Sequence, residues 1–321
     1  IGIGIGVGVI DVVITNLSAK IISKKSMIIG DERYDYNLVF AELVNLINEV
    51  IELSNIERKN ILGAGVALHG IVNAKSGESI HSLYYGWKNI NIKKRLEDEL
   101  QLAIYVDNDV RAMALGESLF GATKDISNFV TLNISNGIGA GIIINNTPYY
   151  GVDFSAGEIG HIAVELDGDK CNCGNYGCLE TVASNNNITK KAIKLIKQGV
   201  SSSLIKDIDN INNLTIEDIC NAAKNGDEMS ITVLKEAARY IGIAITNLIN
   251  ILNPTAIVVV GEIFENTTYA IDTLSEIVKN RGFKLSSENV RIIRSLLGRD
   301  ASVIGAATLV IQEIFNGINK N

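Results

Sequence analysis

Three of the chain's four cysteines fall within eight residues, as Cys171-Asn-Cys173-Gly-Asn-Tyr-Gly-Cys178, and His161 stands ten residues before the first of them. Three thiolates and one imidazole make the donor set of a closed tetrahedral Zn²⁺ site. With all four positions filled by protein, such a metal is structural and not a Lewis acid. Glycines inside the run let the backbone turn tightly enough for four side chains to face one point. Polar, glycine-rich surroundings also separate these residues from cysteines that serve as small buried hydrophobes. Cys220, in an apolar helical stretch, reads as the latter.

The same segment carries a family resemblance. His161 with Cys171-x-Cys173-Gly-x-x-Gly-Cys178-x-Glu180, led by Gly157-Glu158-Ile159-Gly160-His161, closely resembles the signature of the ROK family. That family comprises sugar kinases and sugar-responsive repressors, and the resemblance runs from Ile1 almost to the end of the chain. It implies an α/β, actin-like ATPase (ribonuclease H-like) duplicated fold of two lobes with a cleft between them. Residues 1–122 and 301–321 would form the N-terminal lobe, the last segment being a returning helix. Residues 123–300 would form the C-terminal lobe, with the zinc loop and helical insertions.

The resemblance also implies a sugar pocket of Asn108, Asp109, Glu158, His161 and Glu180. Asp109 would be the catalytic base if the protein is a kinase, since a carboxylate beside a sugar hydroxyl can accept its proton. The lesser alternative is that Asp109, at the start of a helix, only caps it, and both roles can hold together. Carboxylates and an imidazole can pair with neighbouring ring hydroxyls. His161 would direct one nitrogen to zinc and the other to the sugar, as metal-bound imidazoles commonly engage a second partner. Trp87, in Gly86-Trp87-Lys88-Asn89, reads either as a sugar contact or as a packed core residue. His69 and His81 read as structural or surface residues.

The nucleotide side of this resemblance is damaged. Related kinases open with Asp-x-Gly-Gly-Thr, which organises Mg²⁺ and phosphates; the matching positions here are Gly4-Ile5-Gly6-Val7-Gly8. The carboxylate and the hydroxyl are missing, and Val7 would resist a positive φ if the turn demanded one there. The second phosphate turn, Gly-Thr-Gly-x-Gly in kinases, is Ser135-Asn136-Gly137-Ile138-Gly139, a softer loss because Asn136 could still donate a hydrogen bond, and Val260-Gly261-Glu262 keeps one glycine of a usual pair. Each charge-assisted hydrogen bond contributes about 1.5–3 kcal/mol, so losing two or three weakens phosphate binding by roughly 10²–10⁶-fold. Bound Mg-ATP is therefore not expected. Nor is the run Gly2-Ile-Gly-Ile-Gly6 a dinucleotide fingerprint, because no register yields G-x-G-x-x-G.

The elements that must position these residues follow from periodicity. Residues 1–14 read as a strand, a turn follows at 16–19, and a second strand begins near 20–22. Helices are expected at 36–52, 109–120, 179–197, 216–225, 229–252, 269–280 and 301–315. Strands are expected at 61–68, 104–107, 129–134, 142–144, 256–260 and 290–294, with a glycine turn at 137–141. The two halves show no sequence self-similarity, so duplication rests on the resemblance.

At 321 residues the chain suffices for two cores, and its composition, 47% hydrophobic and 20% charged, is that of an ordinary soluble protein. A net charge of −7 argues against this segment itself gripping DNA or an anionic membrane. Its cysteine usage fits a reducing cytoplasm. Together these features lead us to expect the sugar-sensing region of a ROK-type repressor, resembling the xylose and N-acetylglucosamine repressor branch. DNA would be contacted only through a helix-turn-helix upstream of Ile1, and the protein would be a homodimer or tetramer. The competing readings are an ATP-dependent sugar kinase, glucokinase- or fructokinase-like, and a sugar-binding protein that never contacts DNA.

Overall fold

The computed structural model describes residues 1–29, 35–207 and 211–318. The chain divides into two compact units: Ile1–Ser127, Gly141–Gly157 and Asp300–Asn321 in one, Asn128–Ala140 and Glu158–Arg299 in the other. Segment 141–157, expected in the C-terminal lobe, groups with the first unit. Of the returning C-terminal segment, residues 319–321 lie outside the described residues.

In the first unit the run expected as one strand is two, β1 (Gly2–Ile5) and β2 (Val9–Thr15), folded back antiparallel through Gly6-Val7-Gly8. Apolar side chains continue on both sides of this reversal, so hydrophobic pattern alone does not reveal it. β3 (Ile21–Ile28) extends the hairpin. Helix α1 (Tyr36–Ser54) starts at Asp35, whose carboxylate accepts from the N–H groups of Asn37 and Leu38. β4 (Ala64–Leu68) is wholly buried. A small antiparallel sheet of β5 (Ile71–Asn73), β6 (Glu78–Ser82) and β7 (Trp87–Asn91), not anticipated from the sequence, comes next. α2 (Ile92–Leu100) buries Ile92, Leu96 and Leu100, four residues apart on one face. β8 (Ile104–Asn108) leads directly into α3 (Asp109–Leu119). The main sheet has the order β3-β2-β1-β4-β8, with β4 parallel to both β1 and β8.

The second unit begins with β9 (Phe129–Ile134). Its turn spans only 135–137, because β10 (Ile138–Ile144) takes Gly139 and Gly141 into a continuous strand that crosses into segment 141–157, where β11 (Thr147–Pro148) pairs with it. The helix expected over 179–197 is broken into α4 (Leu179–Ala183) and α5 (Asn185–Lys197). Ser184 between them is extended (φ −71°, ψ 154°), and the Asn185 N–H leaves the helical ladder to donate to Ser135 O at 2.9 Å. α6 (Leu204–Asp207), α7 (Ile216–Lys224) and α8 (Glu228–Leu252) follow, and then β12 (Ala256–Val260). α9 (Glu262–Glu265), α10 (Tyr269–Arg281), α11 (Lys284–Asn289) and β13 (Arg291–Arg294) complete the unit.

The second sheet has the order β11-β10-β9-β12-β13, with β12 parallel to β9 and β13. This is the strand order of the first sheet over again: third, second, first, fourth, fifth in each half. The duplication is thus visible in topology although not in sequence. The last helix, α12 (Ala301–Ile318), lies on the first unit's sheet. It comes so close that a Cβ on Gly65 would stand 1.8 Å from the Ala306 carbonyl oxygen. Among the described residues no helix is long and apolar enough to cross a membrane.

Candidate metal centre and sugar-binding residues

The loop between β11 and α4 brings His161, Cys171, Cys173 and Cys178 together, with one ligand atom of each within 4.8 Å of all the others. Backbone hydrogen bonds shape it: Val164 N–H donates to Gly177 O at 2.8 Å, Gly177 N–H to Asp169 O at 2.9 Å and Leu179 N–H to Ile162 O at 2.9 Å. Gly177 (φ +64°) is required here, since a Cβ would meet the Glu165 carbonyl oxygen at 1.7 Å. The Tyr240 hydroxyl of α8 donates to the Glu165 carboxylate and holds the loop from below.

Cys171 Sγ lies 3.6 Å from His161 Nδ1, and Cys173 Sγ lies 3.7 Å from Cys178 Sγ. The edges of a tetrahedron with metal–sulfur bonds of ~2.3 Å and a metal–nitrogen bond of ~2.0 Å are about 3.5–3.8 Å, so the four residues fit a single bound ion. No disulfide competes, all four cysteines of the chain being free. Burial, then hydrogen bonding with the other two thiols, pushes the Cys178 thiol up to about 12, and burial raises Cys171. A bound cation would favour the thiolate form of both and so oppose these shifts. The other imidazole nitrogen, His161 Nε2, stands 3.8 Å from the Glu158 carboxylate. Glu180, in the first turn of α4, accepts from the Ile138 N–H at 3.1 Å. One Glu180 oxygen therefore anchors the β9–β10 turn, a role the sequence did not suggest.

In the first unit the cap of α3 is Asn108, not Asp109. Asn108 Oδ1 accepts from the Val110 and Arg111 N–H groups at 3.0 and 3.1 Å. Its Nδ2 donates to Gly70 O at 3.0 Å and to Asp109 Oδ1 at 2.9 Å. The side chain is thereby committed to holding Asp109, which is buried, with Oδ2 facing His69 Nδ1 at 3.8 Å. His69, read from sequence as structural or surface, stands beside Asp109.

Beneath them Arg111 and Asp107 form a buried ion pair at 2.7 Å, each side chain 2% exposed. Arg111 also donates to Phe154 O and Val72 O, both at 2.8 Å, and lies over the Tyr150 ring. Burial raises the Asp107 carboxyl above its ordinary range, while the Arg111 guanidinium opposes that shift. Nothing in the local spacing announced this network; an Asp and an Arg four residues apart across a strand–helix junction look like surface charges.

Trp87 is a packed core residue, stacked on Tyr85 at 4.4 Å and edge-on to Tyr36 at 5.2 Å. The Tyr85 hydroxyl donates to Gly6 O at 2.6 Å. In the turn Gly6-Val7-Gly8 the positive φ falls on Gly8 (+79°), so the turn demands none of Val7. A Cβ on Gly8 would lie 3.1 Å from the Tyr84 hydroxyl, and one on Gly4 3.0 Å from Ser302 Oγ. In the second unit Asn136 and Gly137 lie in the β9–β10 turn and Gly139 in β10, while the Glu262 carboxylate after Gly261 accepts from Asn185 Nδ2 at 2.8 Å.

Two sheets of one strand order, with a His/Cys₃ cluster inserted between the third and fourth strands of the latter half, define a two-lobed α/β fold of the actin-like sugar kinases and their regulatory relatives. The ROK family model matches residues 1–313, and the chain belongs to the ROK family. It is 34% identical over 318 residues to the N-acetylglucosamine repressor of Escherichia coli O157:H7, covering 98% of this chain and 76% of the repressor. It is also 34% identical over 281 residues to a glucokinase of Halalkalibacterium halodurans, covering 86% and 84%. A crystal structure of a ROK family transcriptional regulator, homologous to the E. coli MLC protein, superposes with a TM-score of 0.87 at 29% identity, covering 99% of this chain and 78% of that one. Repressors and kinases thus both stand among its relatives.

Proposed function

We propose that this chain is the sugar-sensing effector region of a ROK-type transcriptional repressor whose nucleotide site no longer works. The observation that carries the reading is the first glycine turn. It has neither carboxylate at Gly4 nor hydroxyl at Gly8, and the hydroxyls of Tyr84 and Tyr85 pack against it. A Thr at position 8 would be strained at φ +79° and would meet Tyr84. The Glu262 carboxylate adds a negative charge near the remaining glycine of the usual pair, unfavourable to a polyphosphate. The match to a repressor over 98% of this chain supports the same reading.

In this proposal Asp109, Glu158, His161 and Glu180 bind the sugar, with Asn108 orienting Asp109. His161 and the three cysteines hold Zn²⁺, which supplies a structural cross-link and fixes the imidazole. Through its Nε2 side His161 then sets the position of Glu158. DNA is contacted by a helix-turn-helix outside this segment, in a cytoplasmic homodimer or tetramer, and the net charge of −7 supports leaving DNA to another region. Sugar acts by binding one conformation of the protein more tightly than another, the only way a ligand shifts such an equilibrium.

The second reading, an ATP-dependent sugar kinase, is favoured by Asp109 at the start of α3 and by the glucokinase relative. Calorimetric titration of Mg-ATP and of a sugar panel separates the two. Sugar binding without ATP binding is expected; ATP binding followed by sugar-dependent ADP release would establish the kinase.

A further inference from the structure

We propose that His69 is a sugar contact, sharing one sugar hydroxyl with Asp109; the proposal rests on the assignment of Asp109 to the sugar made above. The His69 N–H donates to Ile5 O at 2.9 Å, so the residue extends β4 one step further along β1. The Asn108 amide then ties Gly70 to the start of α3 at 3.0 Å. These two bonds fix the His69-Gly70 turn against Asp109 from both sides.

Asp109 Oδ1 is satisfied by Asn108 Nδ2 at 2.9 Å and the Val110 N–H at 3.0 Å. Oδ2 faces His69 Nδ1 at 3.8 Å, beyond direct hydrogen-bonding reach. The separation suits a third atom placed roughly 2.8 Å from each of the two. That atom must donate to the carboxylate and accept from the imidazole N–H, a combination a hydroxyl offers and an ammonium or a carboxylate does not. The His69 side chain is 26% exposed against 11% for Asp109, so the imidazole is the more open side of the gap. The pair would select for a hydroxyl at one ring position, because an analogue lacking it leaves two polar groups without their bridge.

The experiment is calorimetry with D-glucose, N-acetyl-D-glucosamine, D-xylose and the monodeoxy analogues of whichever binds. It uses wild type, Asp109→Asn, His69→Leu and His69→Asn, each checked for a normal thermal melt. Wild type should lose affinity for one deoxy analogue. His69→Leu should bind the parent sugar about tenfold more weakly, the scale of one hydrogen bond, and no longer discriminate against that analogue. His69→Asn, which can place an amide N–H near the Nδ1 position, should recover most of the loss. If His69→Leu matches wild type for every sugar while Asp109→Asn does not, the His69 proposal is overturned and the sugar site stands. If no sugar binds wild type, or Asp109→Asn binds as wild type does, the sugar assignment fails and the His69 proposal falls with it.

Discussion

Arg111 satisfies three acceptors at once, the Asp107 carboxylate and the carbonyls of Val72 and Phe154, and it does so almost entirely out of water. Removing it strands Asp107 as an uncompensated buried charge beside the proposed sugar-binding Asp109. Arg111→Met should cost about 3–5 kcal/mol in urea unfolding, whereas Arg111→Met with Asp107→Leu should recover much of that, because a buried pair is worth less than the penalty of breaking it. The metal cluster is equally testable at single residues. Cys178, fully buried and 3.7 Å from Cys173 Sγ, is the ligand closest to α4. Cys178→Ser should lower bound zinc from about one equivalent to under half, read by elemental analysis, and weaken sugar binding through a misplaced His161.

At the scale of the element, α8 is the longest helix, and its start is secured by Asp227, which accepts from the N–H groups of Ser230 at 2.9 Å and Ser203 at 2.6 Å. These hydrogen bonds hold the carboxyl below its usual range despite the opposing effect of burial. A folded-state pKa below the unfolded one means stability that is complete above about pH 4 and lost as pH falls through the folded value. Asp227→Ala should therefore cost about 1 kcal/mol at pH 7, with the gap to wild type shrinking as unfolding is measured toward pH 3. A gap that holds constant across this range would mean that the cap acts through shape alone. The break between α4 and α5 lets Asn185 reach both the Ser135 carbonyl and Glu262.

For the whole molecule, ligand linkage discriminates sensor from kinase without any assay of turnover. A sugar present at 100 times its dissociation constant should stabilise the folded chain by about 2.7 kcal/mol and raise its melting temperature accordingly. Millimolar Mg-ATP should leave the melt unchanged, alone or with sugar. A melt raised by Mg-ATP would contradict the reading of the Gly6–Gly8 turn. The repeated strand order makes the comparison informative. Each half retains its hairpin turn, and on the proposed reading the first of these turns, without a carboxylate at Gly4 or a hydroxyl at Gly8, is the one that fails to hold a phosphate.

The candidate metal cluster was legible because chemistry fixes both the types and the spacing of such residues: only a few residue types bind zinc, and a short loop here supplies three of them. The main helices and the buried strands were legible because burial imposes a period on the chain. Hidden from the sequence were the reversal at Gly6–Gly8, the break at Ser184, the Asp107–Arg111 pair and the meeting of His69 with Asp109. Each of these depends on a partner brought near by the fold, as the Asn185 N–H turns to Ser135 and the His69 N–H to Ile5. Periodicity records which face of an element is buried, not which hydrogen-bond partner waits there. The sequence alone therefore determined the family, the His/Cys₃ set that could hold a metal and the order of the main elements. Only the tertiary structure decided which groups Asp107, Asp109, Glu180 and Glu262 meet within the protein, because those partners come from distant parts of the chain.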